Sequence, residues 1–100
     1  MARFMTRTIN APAGRVLEAV LSAAGRIGLE IVNVDSRNGE ARLRRPLRRA
    51  GNSRRLFVAV TDNGFGGSTL HLSWGDDFPG RNADRRTAIQ LWRVAVGLLS

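Results

Sequence analysis

The most constraining feature of the sequence is a pair of strand-length segments joined by a glycine-rich turn. Arg54 to Thr61 and Ser68 to Gly75 each alternate apolar and polar side chains, a pattern typical of strands with one buried face. The residues between them, 62–67, read Asp-Asn-Gly-Phe-Gly-Gly, a sequence that favours a hairpin turn. We therefore expect an antiparallel sheet built around this hairpin.

The remaining segments predict further strands and two helices. Arg3 to Ile9 reads as a first strand, and Asn10-Ala11-Pro12 is a helix-start sequence. Leu29 to Asp35 and Glu40 to Arg45 form a second hairpin, and Ala83 to Leu99 forms a last helix. Consecutive hairpins give an antiparallel sheet, and two helices cover only one face of a small sheet. The predicted fold class is therefore α+β, with a four- to five-stranded antiparallel sheet, two helices on one face and the order β-α-β-β-β-β-α.

Length and composition indicate a single domain. The chain has 100 residues without a repeat, linker or low-complexity segment, so we predict one domain over residues 1–100. There is no cysteine, which excludes disulfides and thiolate metal sites. The longest apolar run, Val94 to Leu99, has six residues, whereas a membrane span needs about 20. Without a signal peptide or a span, we expect a cytoplasmic protein.

Positive charge is concentrated in one part of the chain. The net charge is +8, and all 16 basic residues are arginine. Residues 41–55 contain seven arginines and no acidic residue, whereas the other residues contain nine arginines and eight acids. The seven are Arg42, Arg44, Arg45, Arg48, Arg49, Arg54 and Arg55. Such a local excess favours an anionic partner.

The start of the first predicted helix resembles a known family. The stretch from Thr8 to Val20 reads Thr-Ile-Asn-Ala-Pro-Ala-Gly-Arg-Val-Leu-Glu-Ala-Val. It is similar to the opening of START/polyketide-cyclase-type helix-grip domains, in which a strand runs through a small-Pro pair into a helix with a Val-x-x-Ala-like face. The whole element order is also similar to the TATA-binding-protein-like architecture. The resemblance implies a fold of this type. This chain is shorter than those helix-grip domains, so we expect it to lack the extra strands that enclose their ligand cavity and, with them, a roomy hydrophobic pocket.

The helix-free face of the predicted sheet carries the leading functional hypothesis. Alternation places Arg42, Arg44 and Phe57 on that face, with His71 directly across from Phe57 if the turn centres on Gly64. Guanidinium groups neutralise phosphates, and flat rings stack on unpaired bases. We therefore predict a non-enzymatic module that binds nucleic acid or another polyanion, with the seven arginines on phosphates and Phe57 and His71 as the stacking surface.

Two other hypotheses use other parts of the chain. The last helix is apolar around most of its circumference, and Leu91, Val94 and Leu98 widen its apolar stripe. These three residues suit an interface in a homodimer, or an assembly domain whose arginine segment binds an acidic protein. Alternatively, a reduced helix-grip pocket between Trp74, Trp92 and the first helix carries a small apolar ligand.

No group of residues predicts catalysis or metal binding. His71 is the single histidine, and its same-face neighbours Thr69 and Ser73 supply no metal ligands. Asp76 and Asp77 lie where a strand ends and a Pro-Gly turn begins, which suits turn formation. No serine or threonine lies in a nucleophile motif. We therefore predict no catalytic residue, no metal site and no cofactor.

Overall fold

The computed structural model describes residues 4–45, 54–74 and 83–100, which form an antiparallel sheet and two helices. In chain order the elements are β1 (Phe4–Ile9), α1 (Ala13–Arg26), β2 (Glu30–Asp35), β3 (Glu40–Arg45), β4 (Arg54–Asp62), β5 (Ser68–Trp74) and α2 (Ala83–Leu99). This confirms the predicted α+β class and the predicted order of elements.

The five strands form one sheet in the order β1-β5-β4-β3-β2. β2 to β5 follow one another as antiparallel neighbours, and β1 pairs antiparallel with β5, the last strand. Pairing between β2 and β3 is irregular between Ile31 and Asn33, where β2 gains one residue relative to its partner. β1 and β2 are therefore the edges, and β3, β4 and β5 form the centre of the sheet.

Both helices bury their apolar faces against the same side of the sheet. α1 contributes residues at helical spacing, among them Val16, Val20 and Ala23, each with no exposed surface. Leu91 of α2 is equally buried. The sheet residues that they cover alternate along the strands, as a period of two requires. These covered residues are Met5, Ile9, Ala41, Leu43, Leu56, Val58, Val60, Leu70 and Leu72.

The turn between β4 and β5 sets their register. The backbone N–H of Asn63 donates to the carbonyl of Gly67 at 3.0 Å, and Asp62 pairs with Ser68. The hairpin is therefore centred on Phe65, one residue beyond the centre expected from the sequence. As a consequence Phe57 pairs with Ser73, and the expected pairing of Phe57 with His71 is wrong. A shift of two residues leaves every side chain on its predicted face.

Neither helix within residues 4–45, 54–74 and 83–100 combines the length and apolarity that a membrane crossing requires.

Candidate functional site

An open cavity of about 630 Å³ lies where β3, β4 and β5 approach the end of the sheet that carries Arg45 and Trp74. Its volume is within the range of about 300–1,000 Å³ that is usual for small-molecule sites. Apolar and aromatic side chains alternate with arginines around it. The lining residues are Val32, Arg42, Leu43, Arg44, Arg55, Leu56, Phe57, Ser73 and Trp74.

Strand alternation shows on which side of the sheet this cavity opens. Leu43 and Leu56 are 1% and 5% exposed and point toward the helices, so they form a floor and present almost no surface. Arg42, Phe57 and Ser73 pair across three neighbouring strands on the opposite face. The cavity therefore opens on the helix-free face, with these side chains as its walls.

The positive charge of the cavity wall is only partly compensated. Arg44 pairs directly with Arg55 across β3 and β4. On the other side Arg44 donates from Nε to a carboxylate oxygen of Glu30 at 2.9 Å, and its Nη2 contacts the same oxygen. Within the described part of the chain, Arg42 and Arg55 make no ion pair. Considering only residues 4–45, 54–74 and 83–100, the wall therefore carries one arginine neutralised by a carboxylate and two without an ion pair.

The helix side of the sheet is packed with buried apolar side chains. Leu43, Leu70, Leu72 and Leu91 are all less than 2% exposed, so the space among these four side chains is filled. This cavity is not the pocket expected between Trp74, Trp92 and α1: Trp74 is in its lining, but Trp92 and the residues of α1 are not. The side chain of Trp74 packs against the core on the helix side, where its strand partner is Leu56.

Two arginines on the helix side of the sheet contact α2. Arg7 of β1 lies over the ring of Trp92, with its guanidinium carbon 5.1 Å from the ring centroid, a cation–π arrangement. Arg45 donates from Nη1 to the hydroxyl of Thr87 at 3.0 Å. The indole N–H of Trp92 is buried and has no hydrogen-bond partner among the described residues. Arg45 is thus a helix-side residue that helps to hold α2.

The seven arginines predicted as one surface do not stay together. Arg42, Arg44 and Arg55 line the cavity with Phe57, whereas Arg45 faces the helices. Arg48 and Arg49 and the side chain of Arg54 lie outside the described residues.

His71 lies apart from the cavity lining. It pairs with Ala59 and with Thr6 on the same face, and its Nε2 is 3.3 Å from the hydroxyl of Thr61. Residues 4–45, 54–74 and 83–100 contain no group of three or more histidine, aspartate or glutamate side chains placed to hold a metal ion. Asp76 and Asp77 are outside the described ranges.

The predicted interface residues on α2 differ in exposure. Leu91 has no exposed surface and belongs to the core of the monomer, while Val94 and Leu98 are half-buried and pack against that core. Sequence reasoning did not identify Val32 and Ser73 as cavity residues. Ser73 is a small side chain in a row with Arg42 and Phe57, and this size difference is the one local indication of a gap.

The sequence matches no protein-family model and no curated protein. Its backbone is nevertheless similar to those of solved structures. The di-domain aromatase/cyclase StfQ from the steffimycin biosynthetic pathway aligns with a TM-score of 0.67 at 13% identity, over 96% of this chain and 44% of that chain. For DynU16, from the dynemicin biosynthetic locus, the TM-score is 0.69 at 16% identity, over 99% and 48%. For Ara h 8.0201 it is 0.64 at 11% identity, over 95% and 94%.

These comparisons confirm the resemblance to polyketide-cyclase-type helix-grip domains at the level of the fold. The identities show the fold alone, and the chain spans less than half the length of the first two neighbours. Because an aromatase/cyclase is among these neighbours, the fold does not by itself make this chain a non-enzyme.

The hypothesis of a nucleic-acid or polyanion binder is wrong. The solved structures that share the fold of this chain include the aromatase/cyclases StfQ and Zhui, which are not described as nucleic-acid-binding proteins. The continuous cationic surface is also divided, because Arg45 lies on the helix side and Arg44 is paired with Glu30. The findings agree better with the small-ligand hypothesis than with the polyanion hypothesis.

Proposed function

We propose that this domain binds a small, mainly apolar molecule in the cavity over β3, β4 and β5. The observation that carries the proposal is the 630 Å³ cavity on the helix-free face of the sheet. The fold shared with StfQ and DynU16 supports a small-molecule ligand but does not define its place. Phe57 supplies flat apolar area on this face, and aromatic side chains dominate the contacts in sites of this size.

We assign ligand binding to this cavity, and no chemical step. Among the described residues that line the cavity, none is a carboxylate or a histidine, so the wall offers no general base of the usual kind. Ser73 is the one hydroxyl in the lining. A hydroxyl without a base beside it is a weak nucleophile, and here it serves as a small residue that leaves space for a ligand.

The test uses N-phenyl-1-naphthylamine, a neutral aromatic probe whose fluorescence rises in apolar surroundings. We expect saturable binding to the unmodified protein. Ser73→Leu adds a branched apolar side chain to the cavity wall and should weaken binding at least tenfold, which corresponds to about 1.4 kcal/mol.

Thr69→Leu is the matched control. Thr69 lies on the same strand and the same face as Ser73 but does not line the cavity, so this variant should bind the probe like the unmodified protein. Equal loss in both variants, or no saturable binding to the unmodified protein, contradicts the proposed function.

A further inference from the structure

The arrangement of arginines in the cavity wall is electrostatically unfavourable when the cavity is empty. Arg44 and Arg55 occupy directly paired positions on β3 and β4, where side-chain Cβ atoms are about 4.5–5.5 Å apart. Like charges in such positions destabilise a sheet. Arg42 lies on the same face, two residues before Arg44 on β3.

Only one of these three charges is neutralised within the described part of the chain. Glu30 pairs with Arg44 across β2 and β3, and both side chains are about half-exposed, at 48% and 46%. Arg42 faces Asn33 on one side and Phe57 on the other, and neither carries a charge. Among the residues that the structure describes, two guanidinium groups, those of Arg42 and Arg55, therefore have no acidic partner.

These two groups are placed to act on one anion. Arg55 is diagonal to Arg42 across the β3–β4 ladder, and diagonal positions are about 7–8 Å apart at Cβ. Arginine side chains are long enough to converge from that separation, and a guanidinium binds carboxylate-like oxygens with two parallel hydrogen bonds. Phe57 lies beside both, directly across from Arg42 and two residues beyond Arg55 on β4.

We infer that the ligand of this cavity is an aromatic acid, a flat ring system that carries one carboxylate, sulfonate or similar anion. The anion binds Arg42 and Arg55, and the ring system contacts Phe57. Arg44 is excluded from direct pairing because Glu30 holds it. This inference rests on the proposed function and adds the chemical class of the ligand.

The test compares two probes that share one aromatic frame. 1-Anilinonaphthalene-8-sulfonate carries a sulfonate, and N-phenyl-1-naphthylamine lacks it. We expect the sulfonated probe to bind the unmodified protein at least tenfold more tightly. Arg55→Gln and Arg42→Gln should each weaken the sulfonated probe about tenfold and leave the neutral probe unchanged.

Two further variants separate a site from general attraction to a basic protein. Arg15→Gln removes one exposed positive charge from α1, on the opposite side of the sheet, and should leave both probes unaffected. Glu30→Gln frees Arg44 from its partner and should tighten the sulfonated probe. Near-UV circular dichroism establishes that every variant keeps its tertiary structure.

The outcomes distinguish the inference from the proposed function. Equal affinity for both probes, or a loss in Arg15→Gln as large as that in Arg55→Gln, overturns the aromatic-acid inference while leaving a neutral-ligand site. Binding of neither probe overturns the proposed function and the inference with it. Tighter sulfonate binding that Arg42→Gln and Arg55→Gln do not change also overturns the inference, because the anion then binds elsewhere.

Discussion

Gly39, in the turn between β2 and β3, has a backbone conformation that few other residues tolerate. Its φ is +69°, in the left-handed region that glycine enters without a steric cost. A Cβ at this position would lie 2.5 Å from the carbonyl oxygen of Val60. The carbonyl of Gly39 also accepts a hydrogen bond from the backbone N–H of Val60 at 2.8 Å, so the turn cannot move away without losing this contact.

Gly39→Ala should therefore destabilise the protein by about 2 kcal/mol or more, since the left-handed conformation alone costs about 1–2 kcal/mol. Urea unfolding measures the change. Gly25→Ala, in α1, is the control, because nothing lies within 4 Å of the added Cβ and alanine is favoured over glycine in helices by up to about 1 kcal/mol. Equal stability of the two variants would show that the turn can relax.

At the level of elements, α2 has two kinds of apolar residue. Leu91 is completely buried and Leu98 is half-buried, although the sequence pattern grouped them. Leu91→Ala should destabilise the protein by about 2–5 kcal/mol, the usual range for emptying a leucine site in a core. Leu98→Ala should cost less, because part of its surface is already in water. Urea unfolding of both variants gives the comparison, and a larger loss in Leu98→Ala would contradict the burial.

A homodimer through α2 stays a prediction, and Val94 and Leu98 are the residues on which it now depends. If they form a contact between copies, Leu98→Glu places a charge in an apolar interface, which is strongly unfavourable. We then expect light scattering to give a dimer mass for the unmodified protein and a monomer mass for the variant. A monomer mass for both contradicts the prediction.

The elements and the faces of this fold were predictable from the sequence, but the register was not. Alternation in β4 and β5 fixed which side chains meet the helices, because the side-chain period of a strand leaves only two choices. The register depends on the turn, where the side-chain oxygen of Asn63 accepts from the N–H of Phe65 at 2.8 Å and that of Gly67 at 3.2 Å. These contacts place the hairpin centre on Phe65, and composition alone does not encode them.

The candidate site was predictable in part for the same reason. Alternation placed Arg42, Arg55 and Phe57 on one face, where the structure also has them. The predicted role of these residues changed, because whether an arginine is neutralised depends on the residues of the adjacent strand. Glu30 of β2 neutralises Arg44, and the irregularity after Ile31 accompanies Val32 in the cavity lining. A bulge and a cross-strand ion pair both require the register, which the sequence pattern leaves open.

At the scale of the whole molecule, a net charge of +8 on 100 residues acts against the compact state through self-repulsion. Salt screens this repulsion, with a Debye length of about 10 Å at 0.1 M. It also weakens the Arg44–Glu30 pair, but a half-exposed pair contributes only about 0–1 kcal/mol. The repulsion involves many more charges than this one pair, so its relief should be the larger effect.

We therefore expect the Tm to rise as sodium chloride increases from 20 to 300 mM, measured by circular dichroism at pH 7. The rise should be smaller in Arg55→Gln than in Arg15→Gln. Both variants lose one positive charge, but Arg55 faces Arg44 directly, and so its removal also relieves a close repulsion that salt would otherwise screen. A Tm that falls with salt would show that favourable pairs outweigh repulsion in this chain. Equal salt dependence in the two variants would show that the repulsion is spread over the surface and is not concentrated at the cavity.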